Sequence, residues 1–174
     1  PCIKALREGL AANNIQEMYG ILNGTCNYIL TRMENEKADF SMVLEAAQKS
    51  GYAEANPSTD IDGYDTANKA AILASLAFGR WFTLDDVTVK GIRDVTVTDI
   101  EYASELGYRI KLLATIRKIE DKLQLCVRPV LAAWERVKRL QCIVGEGGHG
   151  WRDNVLRPRR RQGSHRKRRR RRLD

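Results

Sequence analysis

A run of carboxylates followed by one lysine occupies residues 51–69, which read GYAEANPSTDIDGYDTANK. Asp65 and Lys69 are four positions apart, so on a helix they would share one face, with the carboxylate near the helix start where the dipole favours an anion. Together with the loop carboxylates Glu54, Asp60 and Asp62, they would attract a cationic group such as the ammonium of an amino acid. The lysine could bind a polar substrate or move a proton. The alternative is a solvated acidic loop with a surface ion pair, and the charge pattern alone favours it.

A second stretch with chemical potential is the tight turn formed by Asn23, Gly24 and Thr25. Gly24 would let the backbone approach a ligand closely, and Thr25 offers an amide and a hydroxyl donor. The plainer interpretation is a turn whose threonine caps the following helix. The residues by themselves leave both interpretations open.

The elements that must position these residues mix helices and strands without a regular alternation. Helical spacing predicts helices over 1–12, from a Thr25 cap to about Asn35, from a Ser41 cap to Gly51, over a largely buried 65–78, and over 98–108. Strands are predicted within 15–22, over 87–92, and as a hairpin of 109–118 and 122–131. We therefore expect an α+β fold, with helices packed on one face of a mixed or antiparallel sheet. No G-x-G-x-x-G follows a first strand, so no dinucleotide-binding fold is expected within these residues.

Length and composition favour one domain with a sizeable core, since the 174 residues are 43% hydrophobic. No apolar run reaches membrane-spanning length, so no membrane partner is expected. The four cysteines are widely spaced, the first residues do not read as a signal peptide, and we expect reduced thiols, a cytoplasmic location and no metal site. The chain lacks an initiator Met and is expected to be a piece of a longer protein.

The stretch GYAEANPSTDIDGYDTANKAAILASLAFG closely resembles the signature of the homoserine dehydrogenases. Three further stretches agree with that family: PCIKALREGLAAN, GILNGTCNYIL and DVTVKGIRDVTVTDIEYASELGYRIKLLA. The likeness covers about residues 1–131. It implies the substrate-binding and catalytic domain of an NAD(P)-dependent oxidoreductase that interconverts L-homoserine and L-aspartate 4-semialdehyde, in the biosynthesis of threonine and methionine.

The resemblance also implies roles for individual residues. Glu54 and Asp65 would bind the amino-acid substrate, with Asp60 nearby and Tyr52 adding a contact. Lys69 would donate or accept the proton at the oxygen that changes between carbonyl and hydroxyl. The turn of Asn23, Gly24 and Thr25 would lie between the nicotinamide and the substrate. Family members form homodimers through the sheet of this domain, so the same is expected of the intact protein.

The family also carries an amino-terminal Rossmann domain with a further functional lysine, and monovalent-cation ligands just before the position of Pro1. None of these is found in this sequence, so the fragment is expected to lack turnover alone.

Positive charge is concentrated at the end of the chain. Residues 151–174 contain 12 of the 30 Lys+Arg and 2 of the 22 Asp+Glu, which leaves 18 basic and 20 acidic residues in 1–150. As written, this tail is a disordered polycation, and an inert α+β domain with a polybasic nucleic-acid-binding arm is the alternative function; without aromatic residues between its arginines, no specific nucleic acid is expected.

A frameshift explains the basic tail better. Read one base later, the codons of Ser164–Leu173 can encode Ala-Thr-Ala-Ser-Ala-Val-Val-Ala-Asp-Leu, which resembles the end of the family domain. We therefore expect 1–131 to be an incomplete catalytic domain and 132–174 to be a frameshifted, disordered tail.

Overall fold

The computed structural model describes residues 2–133 and 143–145. Its helices are α1 (Cys2–Lys4), which continues as a π-helical turn (Ala5–Gly9), α2 (Gly24–Glu36), α3 (Phe40–Lys49), α4 (Ser58–Ile61), α5 (Tyr64–Phe78) and α6 (Val97–Glu105), with a 3-10 turn at Leu84–Asp86. Its strands are β1 (Glu17–Gly20), β2 (Val87–Val89), β3 (Tyr108–Ile119), β4 (Lys122–Ala133) and β5 (Ile143–Gly145). Apart from 132–133 and β5, the predicted frameshifted tail lies outside the described residues, and the predicted domain boundary stays a prediction.

The strands form one mixed sheet in the order β2-β4-β3-β1-β5. The predicted hairpin is confirmed: β3 and β4 are antiparallel partners from Tyr108↔Ala133 to Ile119↔Lys122. Strand β1 pairs antiparallel with β3 and with β5, whereas β2 runs parallel to β4. The parallel edge strand makes the sheet mixed, as predicted.

The core lies between this sheet and the helices, which confirms the α+β prediction. Strands β3 and β4 turn alternate apolar residues toward the helices, among them Leu112, Ala114, Ile116, Leu125 and Val127. Helix α2 contributes a buried stripe at helical spacing, comprising Cys26, Ile29, Leu30 and Met33. Helix α5 contributes small buried side chains, comprising Ala67, Ala70, Ala71 and Ala74, which allow it to lie close to the sheet. Its other face is exposed, so the prediction of a largely buried helix holds for one face only.

Helix starts differ from the predicted caps. Asn23, not Thr25, caps α2: its backbone is extended (φ −120°, ψ 123°) and its Oδ1 accepts a hydrogen bond from the Cys26 amide. The predicted cap Ser41 lies inside α3, which follows Asp39 without a side-chain cap. Thr96, two residues before the predicted start of its helix, caps α6 in a capping box with Asp99. Several Ser, Thr, Asn and Asp residues stand near each boundary, and only the backbone conformation decides which of them caps.

Candidate active site

A single buried amide joins the ends of three helices. Asn23, at the start of α2, is 5% exposed. Its Nδ2 donates to Asp60 Oδ1 at 2.6 Å and to Asp65 Oδ2 at 2.8 Å. Asp60 lies in α4 and Asp65 in the first turn of α5. The structure thus brings together three residues that are 37 and 42 positions apart in the sequence.

Lys69 completes this cluster from one turn further along α5. Its Nζ donates to Asp65 Oδ2 at 2.6 Å and to the Leu22 carbonyl oxygen at 3.2 Å. The pair has the predicted i,i+4 spacing, and its side chains are 48% and 28% exposed. An ammonium has three N–H donors, so one remains for a ligand at the surface. Because such partly exposed pairs stabilise a fold by only ~1 kcal/mol or less, stability alone is a weak reason for this arrangement.

The junction between α4 and α5 is fixed by the segment that follows β2. The Ile92 amide donates to the Ile61 carbonyl at 2.8 Å. Gly91 lies so close to this junction that a Cβ atom there would be 2.2 Å from the Ile61 oxygen. Gly63, at φ 90°, makes the turn into α5 in the left-handed region that only glycine enters easily. These contacts set the positions of Asp60 and Asp65 relative to each other.

Asp62, one of the loop carboxylates expected to attract a cationic group, is ion-paired within the chain. The Arg93 guanidinium donates to both of its carboxylate oxygens and, at 3.0 Å, to Ser58 Oγ. This partly exposed pair ties α4 to the segment after β2. The long sequence separation of Asp62 and Arg93 explains why spacing does not reveal it.

The loop that carries Tyr52 and Glu54 is attached to α2 and α3. The Tyr52 carbonyl accepts a hydrogen bond from Thr25 Oγ1 at 3.2 Å, and the Tyr52 ring stacks on Tyr28 with centroids 4.2 Å apart. Gln48 Nε2 donates to the Glu54 carbonyl at 3.1 Å. The Glu54 carboxylate is exposed and has no hydrogen-bond or ion-pair partner among residues 2–133 and 143–145. It is not hydrogen-bonded to the Asp60, Asp65 and Lys69 cluster.

Cys26 is a neighbour of the cluster that the sequence did not single out. It is fully buried, and its thiol donates to the Asp60 carbonyl at 3.1 Å. Burial first, and then the charges of Asp60, Asp65 and Asp62, raise the pKa of the thiol to about 12. The group is therefore a neutral hydrogen-bond donor and not a nucleophile.

The turn at Gly24 is open to a ligand. Gly24 is exposed, and no heavy atom lies within 4 Å of the position that a Cβ would take. The Thr25 hydroxyl is already used on Tyr52, and the Asn23 amide group on the two carboxylates, so the backbone of this turn is what a cofactor could contact.

The described part of the chain offers neither a metal-binding cluster nor a membrane-spanning helix. It contains no group of three His, Cys, Asp or Glu residues placed to hold a metal ion. None of its helices is both long enough and apolar enough to cross a membrane.

An ammonium beside paired carboxylates, at the mouth of an open glycine turn, is an arrangement suited to a polar small molecule that carries its own ammonium and a reacting oxygen. The fold and this site agree with the catalytic domain of an amino-acid oxidoreductase. The homoserine dehydrogenase family profile matches residues 1–139, so the chain belongs to the homoserine dehydrogenase family.

Individual relatives agree with this assignment. The homoserine dehydrogenase of Synechocystis is 54% identical over 137 residues, which are 76% of this chain and 32% of that protein. The crystal structure of a homoserine dehydrogenase from Thiobacillus denitrificans superposes with a TM-score of 0.73 at 50% identity, over 74% of this chain and 30% of that one. A hyperthermophilic archaeal homoserine dehydrogenase in complex with NADPH has a TM-score of 0.64 at 29% identity, over 78% of this chain and 37% of that one. The chain thus spans about a third of the length of these relatives.

Proposed function

We propose that this chain provides the substrate-binding and proton-transfer part of the NAD(P)-dependent interconversion of L-homoserine and L-aspartate 4-semialdehyde. The observation that carries the proposal is the position of Lys69, whose ammonium is held by Asp65 Oδ2 and the Leu22 carbonyl and keeps one donor free. Family membership supplies the substrates, and the site supplies partners for their ammonium and for their reacting oxygen.

The carboxylates of the site match the ammonium of the substrate. Asp60 and Asp65 each have one oxygen occupied by Asn23 and their other oxygen unoccupied by the described residues, so both can accept from a substrate ammonium. Glu54, exposed on the adjacent loop, adds negative charge. Tyr52 lies on the same loop and is 59% exposed, which leaves its ring accessible to a bound ligand.

Lys69 handles the proton at the oxygen that changes. When the aldehyde is reduced, the Lys69 ammonium stabilises the developing alkoxide and gives it a proton; in the reverse direction the amine takes the proton of the hydroxyl. Asp65 keeps the lysine nitrogen in place between its own carboxylate and the Leu22 carbonyl.

NAD(P) supplies or accepts the hydride when it is bound. The open backbone at Gly24 and Thr25 fits a nicotinamide that lies beside the substrate. Binding of NADPH by the archaeal relative is consistent with this assignment.

The intact protein is proposed to form a homodimer through the sheet face that the helices leave uncovered. A small apolar cluster lies on that face, where Leu113 and Ala132 pack with Tyr19, Ile21 and Val130. The proposed location is the cytoplasm, where free thiols such as Cys26 and Cys126 stay reduced. The alternative of a nucleic-acid-binding arm has no support in the comparisons, and its arm lies outside the described residues.

The chain itself can test the binding site. L-Homoserine is titrated into isotope-labelled protein and followed by NMR, beside L-2-aminobutyrate, which lacks the hydroxyl, and 4-hydroxybutyrate, which lacks the ammonium. We expect L-homoserine to bind best and to shift the resonances of Asn23, Asp60, Asp65 and Lys69.

Lys69→Met is expected to raise the dissociation constant of L-homoserine roughly tenfold, which is the effect of one lost charged hydrogen bond. The dissociation constant of L-2-aminobutyrate should stay unchanged, because this ligand has no hydroxyl. Lys49→Met is the matched control, because Lys49 forms the same i,i+4 pair at the same 2.6 Å with Glu45 on α3. Equal effects of the two substitutions, or no preference for L-homoserine, would contradict the proposal.

A further inference from the structure

The Asn23 side chain uses each of its polar atoms on a different partner. Its Oδ1 accepts from the Cys26 amide at 2.8 Å, while the two hydrogens on Nδ2 go to Asp60 and Asp65. These partners also decide which way the amide points. The reversed orientation would place Oδ1 against two carboxylates and Nδ2 against a backbone N–H, so three attractive contacts would become repulsive.

Asn23 reduces the electrostatic repulsion between the carboxylates of Asp60 and Asp65. Two carboxylates that share one hydrogen-bond donor carry like charges and repel each other. Of the two negative charges, Lys69 directly offsets only that of Asp65, by its hydrogen bond to Oδ2. Asn23 compensates both aspartates with charge-assisted hydrogen bonds and adds no charge of its own, so the pair keeps its attraction for a cation.

We propose that Asn23 is the positioning residue of the site: it holds Asp60 and Asp65 as one ammonium-binding pair. This role rests on the proposed function and is distinct from the nicotinamide contact predicted for the same residue from the family resemblance. It makes the start of α2 a part of the substrate site, through a side chain that does not touch the reacting oxygen.

Asn23→Ser separates this role from helix capping. Serine caps a helix about as well as asparagine, so the hydrogen bond to the Cys26 amide can be retained. Its shorter side chain has one hydroxyl hydrogen and cannot bridge the two carboxylates. Asn68→Ser is the control, since Asn68 is an exposed asparagine on α5 next to Lys69.

Binding of L-homoserine, L-2-aminobutyrate and 4-hydroxybutyrate distinguishes loss of positioning from general damage to the fold. If Asn23 acts through the carboxylates, Asn23→Ser raises the dissociation constants of L-homoserine and L-2-aminobutyrate by the same factor, roughly tenfold. The dissociation constant of 4-hydroxybutyrate, which binds more weakly, stays unchanged. This differs from Lys69→Met, which affects only the ligands that carry the reacting oxygen. Equal weakening of all three ligands by Asn23→Ser, or of none, would overturn the proposal.

A ligand-free measurement keeps the inference separate from the proposed function. Unfolding by urea is compared for Asn23→Ser, Asp65→Asn and the double variant. Because the two side chains are in contact, the change in the unfolding equilibrium constant of the double variant should differ by at least ~3-fold from the product of the two single changes. If the wild-type chain binds none of the ligands, the proposed function fails for this chain. If, in addition, the change in the double variant equals the product of the two single changes, the role of Asn23 is overturned as well.

Discussion

Gly91→Ala tests whether the close approach of the chain after β2 to the α4–α5 junction is what fixes the site. The added Cβ would lie 2.2 Å from the Ile61 oxygen, 2.5 Å from Asp62 Cα and 2.7 Å from the Asp62 carbonyl carbon. All three atoms are backbone, so no rotamer change can relieve the contacts. The two segments would have to separate by roughly 1 Å, which also breaks the 2.8 Å hydrogen bond from the Ile92 amide to the Ile61 carbonyl.

The expected cost follows from these two effects. Overpacking of this kind costs about 1–3 kcal/mol, and the lost backbone hydrogen bond adds about 1 kcal/mol, so the free energy of unfolding should fall by about 2–4 kcal/mol. For a domain of this size the melting temperature should fall by roughly 6–12 °C. Urea unfolding followed by circular dichroism measures the first quantity, and a thermal scan measures the second.

Gly9→Ala is the control, because no atom lies within 4 Å of its Cβ position and its backbone needs no positive φ. It should leave stability unchanged or raise it by up to ~1 kcal/mol, since alanine is the better helix former. A Gly91→Ala protein within ~0.5 kcal/mol of wild type would refute the close approach and, with it, our account of how Asp60 and Asp65 are placed.

Three further predictions concern single side chains. At about pH 8 the buried Cys26 thiol, whose pKa is raised to about 12, should resist alkylation in the folded protein, whereas the less buried Cys126 should react. Mass spectrometry of the peptides measures the labelling of both cysteines. Equal labelling would contradict the burial of Cys26. Burial lowers the pKa of Lys111 from 10.5, so just below pH 10.5 the unfolded chain binds more protons than the folded one, and the free energy of unfolding should rise with pH. Lys111→Met should abolish this rise in urea titrations. The same pH dependence in both proteins would count against the burial of this lysine. Arg93→Gln removes an exposed ion pair with Asp62 and should leave the urea midpoint of unfolding close to that of wild type, so a clear fall of that midpoint would show that the pair matters more than its exposure implies.

Much of the fold could be predicted because the signals are local. The apolar alternation of β3 and β4 predicts their hairpin, and the spacing of Asp65 and Lys69 on an alanine-rich helix predicts their pairing, since each depends on a few consecutive residues. The four-residue helix α4 was missed because it is too short to show a period. The caps of α2 and α3 were assigned wrongly because neighbouring residues compete for the same role.

The sequence by itself determined the family, the α+β class and the candidate residues, because these depend on residue types in a fixed order. Only the tertiary structure decided what joins them: Asn23 to Asp60 and Asp65, Arg93 to Asp62, and the Ile61 carbonyl to the Ile92 amide. Each of these contacts spans about thirty residues or more, and the packing of helices on the sheet creates it. Local patterns specify which elements form, but the distance between two side chains on different elements is set by how the core brings those elements together.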